Sequence, residues 1–345
     1  MTRRNFTAAA FALTASGQNS TRPIRAAMIG TGHGHAHSKI LALQSMSEYE
    51  FIGVCRPDPQ DPAIGRAFEK VRWLQLEQAL GDPSVEMLAI EFADPDTNLE
   101  YAHRAIDTNK FVHLDKPPGS NLANFQKLIA KAQKQNKAVQ LGYQWRYHPA
   151  MEAAMEAARK GWLGRIYRFR ASIDKPILAD ERRHLAKYRG GMMFSEGCHL
   201  IDRATALLGK PIRVTGVIRH HGTLDDHLAD NNLAILEYPS AIAEISMAGF
   251  DPQGNEHRYI EILGTNGSAR VQPYTGSHLA IELKNAAGPY RAGKQSLEPP
   301  YPPGPGYTPD FAELAAVIRK GARPTYSAEH DLMTHQVLLE ACGML

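Results

Sequence analysis

The residues of this sequence best suited to chemistry are a glycine turn, a lysine and a histidine, and they stand far apart along the chain. Met28-Ile29-Gly30-Thr31-Gly32-His33-Gly34-His35 follows an apolar run and leads into helical spacing. Gly30 permits a tight turn and Gly32 a close backbone approach. The free N–H groups and positive end of the next helix could then grip a pyrophosphate, with His33, Gly34 and His35 lining the grip. Gly34 comes one residue early for the third glycine of the usual spacing, whose place His35 takes. Further on, Phe111–Leu114 runs into Asp115-Lys116-Pro117, so Lys116 stands at the carboxyl end of a strand, where open α/β sheets bind ligands. Lys116, with Asp115 beside it, would lie near a nicotinamide held by the turn. Gly190-Gly191 through Ser195-Glu196-Gly197-Cys198-His199 brings His199 into the first turn of a helix. Its imidazole can move a proton near neutral pH, as oxidation of an alcohol beside a hydride acceptor requires.

Each of these residues has an ordinary alternative: a structural turn, a surface lysine before a Pro-Pro step, a structural helix histidine. At the tip of the second strand, where dinucleotide folds commonly place an acid on the adenosine ribose, the sequence reads Cys55-Arg56-Pro57-Asp58. A guanidinium there would suit a 2′-phosphate, with charge-assisted hydrogen bonds of about 1.5–3 kcal/mol, and leans the cofactor toward NADP. The opposite reading has Arg56 on the adenine or in water and Asp58 on the ribose. A rival to the phosphate turn takes His33, His35 and His37, with His113, as metal ligands of a hydrolase barrel. The barrel rhythm of further ligands is missing and the glycines suit phosphate better, so the reading assigns no metal.

These residues need a scaffold that brings them together. From Arg25 onward short apolar runs alternate with helical spacing, the rhythm of βαβ units around a parallel sheet. Strands are expected at Ile24–Ile29, Phe51–Cys55, Met87–Ile90, Phe111–Leu114 and Ala138–Gly142, with helices at Ala36–Ser45, Ile64–Lys70, Asn98–Thr108 and Asn121–Asn136. The expectation is a doubly wound Rossmann domain over residues 22–147, then an α+β domain over 148–345. That second domain would hold a mostly antiparallel, open-faced sheet built from Ile166–Ile173, Ile212–Arg219, Leu233–Tyr238, Ile242–Met247 and Tyr259–Gly264. Helices are expected at His148–Gly161, Glu196–Leu208, Phe311–Lys320 and Ala328–Cys342, the last two able to pack back on the first domain. Pro299–Tyr307 reads as a connection.

The bulk properties narrow the partners. With 39 Lys and Arg against 36 Asp and Glu, scattered, no basic stripe points to nucleic acid, and no apolar run is long enough to span a bilayer. A small molecule is the better ligand. Cys55, Cys198 and Cys342 are odd in number and lack paired spacing, so no disulfide framework is expected. Arg3-Arg4-Asn5-Phe6, the apolar run Ala8 to Ala15 and then Ser16-Gly17 have the pattern of a twin-arginine export signal over residues 1–17. That predicts a periplasmic or secreted protein, the alternative being a cytoplasmic one with a basic tail.

Taken in order, the Gly-x-Gly turn, the Asp115-Lys116-Pro117 step and the run ending Gly197-Cys198-His199-Leu200-Ile201-Asp202 resemble one family. Gly142-Tyr143-Gln144-Trp145-Arg146-Tyr147-His148-Pro149, Gly161-Trp162-Leu163-Gly164 and Glu261-Ile262-Leu263-Gly264-Thr265-Asn266-Gly267 add to the likeness, as does Ser327-Ala328-Glu329-His330-Asp331-Leu332. The chain is similar to the Gfo/Idh/MocA oxidoreductases over about residues 24–340. The resemblance implies an NAD(P)-dependent enzyme that takes a sugar or polyol between its two domains and forms homo-oligomers. It implies that Lys116 orients the substrate hydroxyl and nicotinamide, that His199 is the acid–base, and that Arg146 and Tyr147 line the cleft. Three positions depart from the pattern. Asp115 replaces a glutamate, Asn98 a histidine, and Ser195 an aspartate that contacts substrate, with Glu196 one residue off. A redox-neutral glycosidase or epimerase with a tightly held nicotinamide, and a non-catalytic sugar- or nucleotide-binding protein, are the alternatives.

Overall fold

The computed structural model describes residues 22–345 apart from Tyr274, so the export segment read at residues 1–17 lies outside the described residues. Six strands make the first sheet: β1 Ile24–Ile29, β2 Tyr49–Cys55, β3 Trp73–Leu74, β4 Met87–Ile90, β5 Phe111–Leu114 and β6 Val139–Leu141. Their order is β3-β2-β1-β4-β5-β6 and the pairings are parallel, a Rossmann-like sheet whose order reverses at β1. The central strands read as unbroken apolar runs because helices cover both faces; every residue of β4 is buried. Ligands of such sheets bind beyond the carboxyl ends at the reversal, and that is where Gly30, Glu91 and Asp115 emerge.

Eight strands make the second sheet: β7 Ile166–Ser172, β8 Arg213–Arg219, β9 Asn231–Glu237, β10 Ile242–Ala248, β11 Tyr259–Gly264, β12 Gly267–Val271, β13 Leu279–Leu283 and β14 Gly293–Leu297. The order is β14-β13-β12-β11-β7-β10-β9-β8, antiparallel except for β7 beside β10. Helices Pro149–Arg159 and Gly197–Leu208 cover one face. The other face leaves Val217, Leu233 and Ile242 more than a third exposed.

Four helices start where a side chain can satisfy a first free N–H group, among them Ala328–Ala341, where Ser327 Oγ accepts from His330 N. Asp94 accepts from Thr97 N at 2.8 Å with Pro95 in the first turn, Asn121 accepts from Asn124 N, and His148 from Met151 N. The first of these moves the expected helix start from Asn98 back to Pro95. Asn98 is then buried and clamps Phe92 at both its N–H and its carbonyl, 2.7 and 2.8 Å away, which fixes the chain just past β4. The expected helix Ile64–Lys70 shrinks to a single 3-10 segment, Arg66–Lys70, entered through Gly65 at φ +113°. Helix Thr308–Lys320 lies against the first sheet: Phe311 and Leu314 join the core of Ile24, Met28 and Ile40, Tyr49 donates to the Phe311 carbonyl, and Arg319 pairs with Glu86 at 2.6 Å.

Candidate active site

The glycine turn leaves β1 with Gly30 at φ +86°, a conformation that L side chains rarely adopt, and a Cβ there would come within 2.9 Å of the Glu91 carbonyl carbon. Gly32 is as constrained, because a Cβ would meet Asp61 Oδ1 at 2.8 Å and Ala93 N at 2.9 Å. Gly34 has open space around it. Backbone bonds from Gly30 N to Cys55 O and from His33 N to Glu91 O stitch the turn across the sheet reversal.

Directly behind it lies a buried ionic cluster. Lys39, fully buried on the first helix, donates to Glu91 Oε1 at 2.6 Å and to Asp115 Oδ2 at 2.8 Å. His33 and His35 both turn Nδ1 toward Asp115, at 3.0 and 3.1 Å, while the Lys116 N–H donates to Asp115 Oδ1 at 2.6 Å. Burial works to raise the Asp115 carboxyl, but His33 and Lys39 outweigh it and hold it well below the usual carboxylate range. Burial also lowers His35 to about 3, against the pull of Asp115, so its ring is neutral. Glu91 goes the other way: burial raises it far more than Lys39 lowers it.

His33, His35 and Asp115 therefore stand at ligand spacing, the one such group among the described residues. The Lys39 ammonium already sits on the carboxylate oxygen nearest both rings, however, and a second cation there would meet that charge at close range. The other histidines of the metal reading lie elsewhere: His37 Nδ1 accepts from Ala67 N, and His113 Nδ1 bonds Gln140.

The structure brings Lys116 and His199 to one place from the two domains. Lys116 Nζ donates to the Ser195 carbonyl at 2.9 Å, one turn before His199. Both side chains are almost wholly buried. His199 is stacked on Trp145, 5.1 Å between centroids, with Tyr143 edge-on at 5.8 Å, and its Nδ1 is buried with no protein partner. Burial first, then the Lys116 charge, hold His199 well below its ordinary value, so its ring is neutral. Lys116 stays above the ordinary lysine value, since Cys198, Glu196 and Asp115 outweigh the effect of burial. Glu196 is taken by Lys175 at 2.8 Å.

Arg146 and Tyr147 sit differently from the cleft-lining placement that the resemblance implies. The Arg146 guanidinium is buried between Asp202 at 2.7 Å and Asp331 at 2.5 Å, and Asp202 is further bound by Arg203 and His330. Tyr147 donates to Glu313 on the Thr308–Lys320 helix. Arg146 also covers the Tyr143 ring at 4.8 Å, so it holds the segment whose rings wall His199. Arg56 donates to the Pro59 carbonyl, and its charge acts on Asp61 beside Gly32.

Sequence reasoning passed over Lys39, Glu91, Tyr307 and Asp61. Lys39 had a signal, since it shares a helix face with Ala36, Ile40 and Leu43, all buried. Tyr307 had none: it comes from the stretch read as a connection, yet its ring packs over Lys39 and near His35, its hydroxyl buried and unpartnered.

Residues 24–143 match the oxidoreductase family with an NAD-binding Rossmann fold, and residues 151–270 match the GFO/IDH/MocA C-terminal domain. The chain belongs to the Gfo/Idh/MocA oxidoreductase family. It is 25% identical over 304 residues to trans-1,2-dihydrobenzene-1,2-diol dehydrogenase of Bos taurus, covering 84% of this chain and 82% of that one. It is 26% identical over 274 residues to scyllo-inositol 2-dehydrogenase (NAD(+)) of Bacillus subtilis, covering 75% and 76%. Among solved structures, the aldose-aldose oxidoreductase of Caulobacter crescentus, complexed with glycerol, superposes with a TM-score of 0.76 at 18% identity, over 93% of this chain and 98% of that one. At that identity the likeness shows the fold alone. As a member of the family this chain is an oxidoreductase with an NAD(P)-binding domain, and no helix among the described residues is long and apolar enough to cross a membrane.

Proposed function

We propose that this oxidoreductase moves a hydride between NAD(P) and a carbinol carbon of a sugar, polyol or related hydroxyl compound, with His199 as the acid–base. The observation that carries the reading is the meeting of a neutral His199, its Nδ1 unpartnered, with the Lys116 ammonium beyond the carboxyl ends of β1, β4 and β5. Bound NAD(P) supplies the hydride acceptor. Gly30, Gly32 and Gly34 give its pyrophosphate a close backbone approach, and His33, His35 and Asp115 form the wall beside it. As the carbinol C–H is broken, the substrate oxygen must lose its proton, and a neutral imidazole can accept it. Lys116 spends one N–H on Ser195; its others are free to steady negative charge growing on that oxygen. Ser195 lines the substrate side, and a serine can hydrogen-bond a hydroxyl without carrying charge.

Arg146 and Tyr147 belong to the same proposal as positioning residues for the Tyr143 and Trp145 walls. Export by the twin-arginine route and assembly through the open face of the second sheet complete it. The test is to saturate the purified protein with NAD or NADP and screen polyols, cyclitols and aldoses for reduced nicotinamide at 340 nm. Turnover that disappears in His199→Asn while the cofactor still binds supports the reading; cofactor bound with no turnover on any substrate overturns it.

A further inference from the structure

At the β8 edge of the second sheet, a cavity of about 390 Å³ opens between that strand, the 220–230 loop and the end of helix Ala328–Ala341. Arg189, Arg219, His220 and His227 stand round it, with Glu340 the one acid among its lining residues. The carboxylates of this neighbourhood are engaged elsewhere. Asp226 and Asp230 both accept from the Arg182 guanidinium, at 2.9 and 2.8 Å, and Glu340 accepts from Gln336 Nε2 at 2.8 Å. Among the described residues neither cavity guanidinium has an ion pair: Arg219 donates to the Ile218 carbonyl at 2.9 Å, and Arg189 lies along Gly343, 3.6 Å from where a Cβ would stand. His220 Nδ1 donates to the Leu228 carbonyl at 2.8 Å and closes the loop that frames the cavity. A guanidinium fork matches the paired oxygens of a phosphate. The volume takes more than a bare ion, since pockets for whole small molecules begin at about 300 Å³.

Two walls of this cavity also hold the chain that leads to His199. Gly190 and Gly191 follow Arg189 directly. A Cβ on Gly190 would stand 2.3 Å from Cys342 Sγ, and one on Gly191 would stand 2.4 Å from the Ala229 carbonyl oxygen. Met192 N donates to that same carbonyl at 3.1 Å, and Asn232 Nδ2 donates to it at 2.9 Å. Three residues beyond Met192 comes the Ser195 carbonyl that receives Lys116. We propose that the cavity is a binding site for a small phosphate monoester, gripped by Arg189 and Arg219, and that its occupant steadies the passage from Gly190 to Ser195. Neither arginine belongs to the dinucleotide turn or to the Lys116–His199 pair, so the site lies outside the hydride-transfer machinery.

The experiment is calorimetric titration of the full chain with ribose 5-phosphate and with inorganic phosphate, on the native protein, Arg189→Met, Arg219→Met and the double variant. Hydrogen–deuterium exchange with and without ribose 5-phosphate accompanies it. The native protein is expected to bind ribose 5-phosphate with a Kd of about 1 mM or tighter. Each single substitution is expected to weaken it by about tenfold or more. Both side chains are exposed, so the variants should melt with the native protein. Ribose 5-phosphate should slow exchange over residues 189–195 in the native protein and not in the double variant. Binding to the double variant within about twofold of native overturns the site, because the phosphate is then held elsewhere, at the glycine turn or in the cleft. A native protein that binds neither probe overturns it as well. Inorganic phosphate bound as tightly as the ester overturns the monoester assignment, and unchanged exchange over 189–195 on binding overturns the link to the passage.

Discussion

Replacing Arg146 with Met separates its two possible roles, substrate contact and buried keystone, because they predict losses of different kinds. The guanidinium bridges Asp202 and Asp331, which are both nearly inaccessible to water. Asp202 keeps Arg203 at 2.6 Å and His330 at 3.0 Å after the change, whereas among the described residues Asp331 forms its ion pair with Arg146 alone. Leaving one buried charge uncompensated costs about 3–5 kcal/mol. Spread over a chain of this size, at about 2.1 cal/mol/K of unfolding entropy per residue, that is a fall in melting temperature of roughly 4–7 °C. The double variant Arg146→Met/Asp331→Leu removes the orphaned charge as well and should recover most of the loss, since an apolar replacement of a whole buried pair is often nearly neutral. Burial already raises the Asp331 carboxyl against the pull of Arg146, so in the single variant the deficit should shrink as pH falls and the acid takes up a proton. The assay is thermal unfolding by circular dichroism of the native protein and both variants between pH 5 and 8, with steady-state kinetics alongside. A single variant that melts with the native protein but shows only a raised KM would refute the keystone argument and return Arg146 to the substrate.

Three further outcomes follow from other parts of the site. Because His199 is held below its ordinary value, the base is already deprotonated at neutral pH, so kcat/KM for alcohol oxidation should stay flat from pH 8 down past 6.5; a pH–rate profile with an acidic limb centred at 6.5 contradicts this. Gly30→Ala places a side chain at φ +86° within 2.9 Å of backbone, and should abolish dinucleotide binding by calorimetry while lowering stability by about 1–3 kcal/mol; retained binding contradicts the turn. Burial raises Asp310 from 3.8 to about 7, so from about pH 4 to 7 the folded chain keeps a proton that the unfolded chain has lost, and stability falls as pH rises across that window. Asp310→Asn should therefore raise the melting temperature at pH 8 and change it little near pH 3.5, and equal shifts at both would refute the assignment.

Much of the first sheet was readable because a parallel strand is buried on both faces and announces itself as an apolar run: Ile24–Ile29, Met87–Ile90 and Phe111–Leu114 coincide with expectation. Gly293–Leu297, by contrast, is Gly-Lys-Gln-Ser-Leu, an edge strand with almost nothing to bury, and it gives no such signal. β12 and β13 were missed because their alternation is short and lies among glycines and prolines. The site divides the same way. Gly30, Lys116 and His199 each stand on a local pattern, so they could be picked out. The partners that decide how they behave come from far away: Glu91 52 residues from Lys39, Ser195 79 from Lys116.

The helix that covers Ile24, Met28 and Ile40 is supplied by residues 308–320, which are synthesised long after the strands they cover. A ribosome that has finished the nucleotide-binding half has thus produced a domain with one apolar flank bare, and that flank must wait for some 160 residues of intervening chain. Fragments ending near residue 147 should accordingly be sticky rather than autonomous. Cutting the chain near residue 147 would part that apolar flank from the helix that covers it.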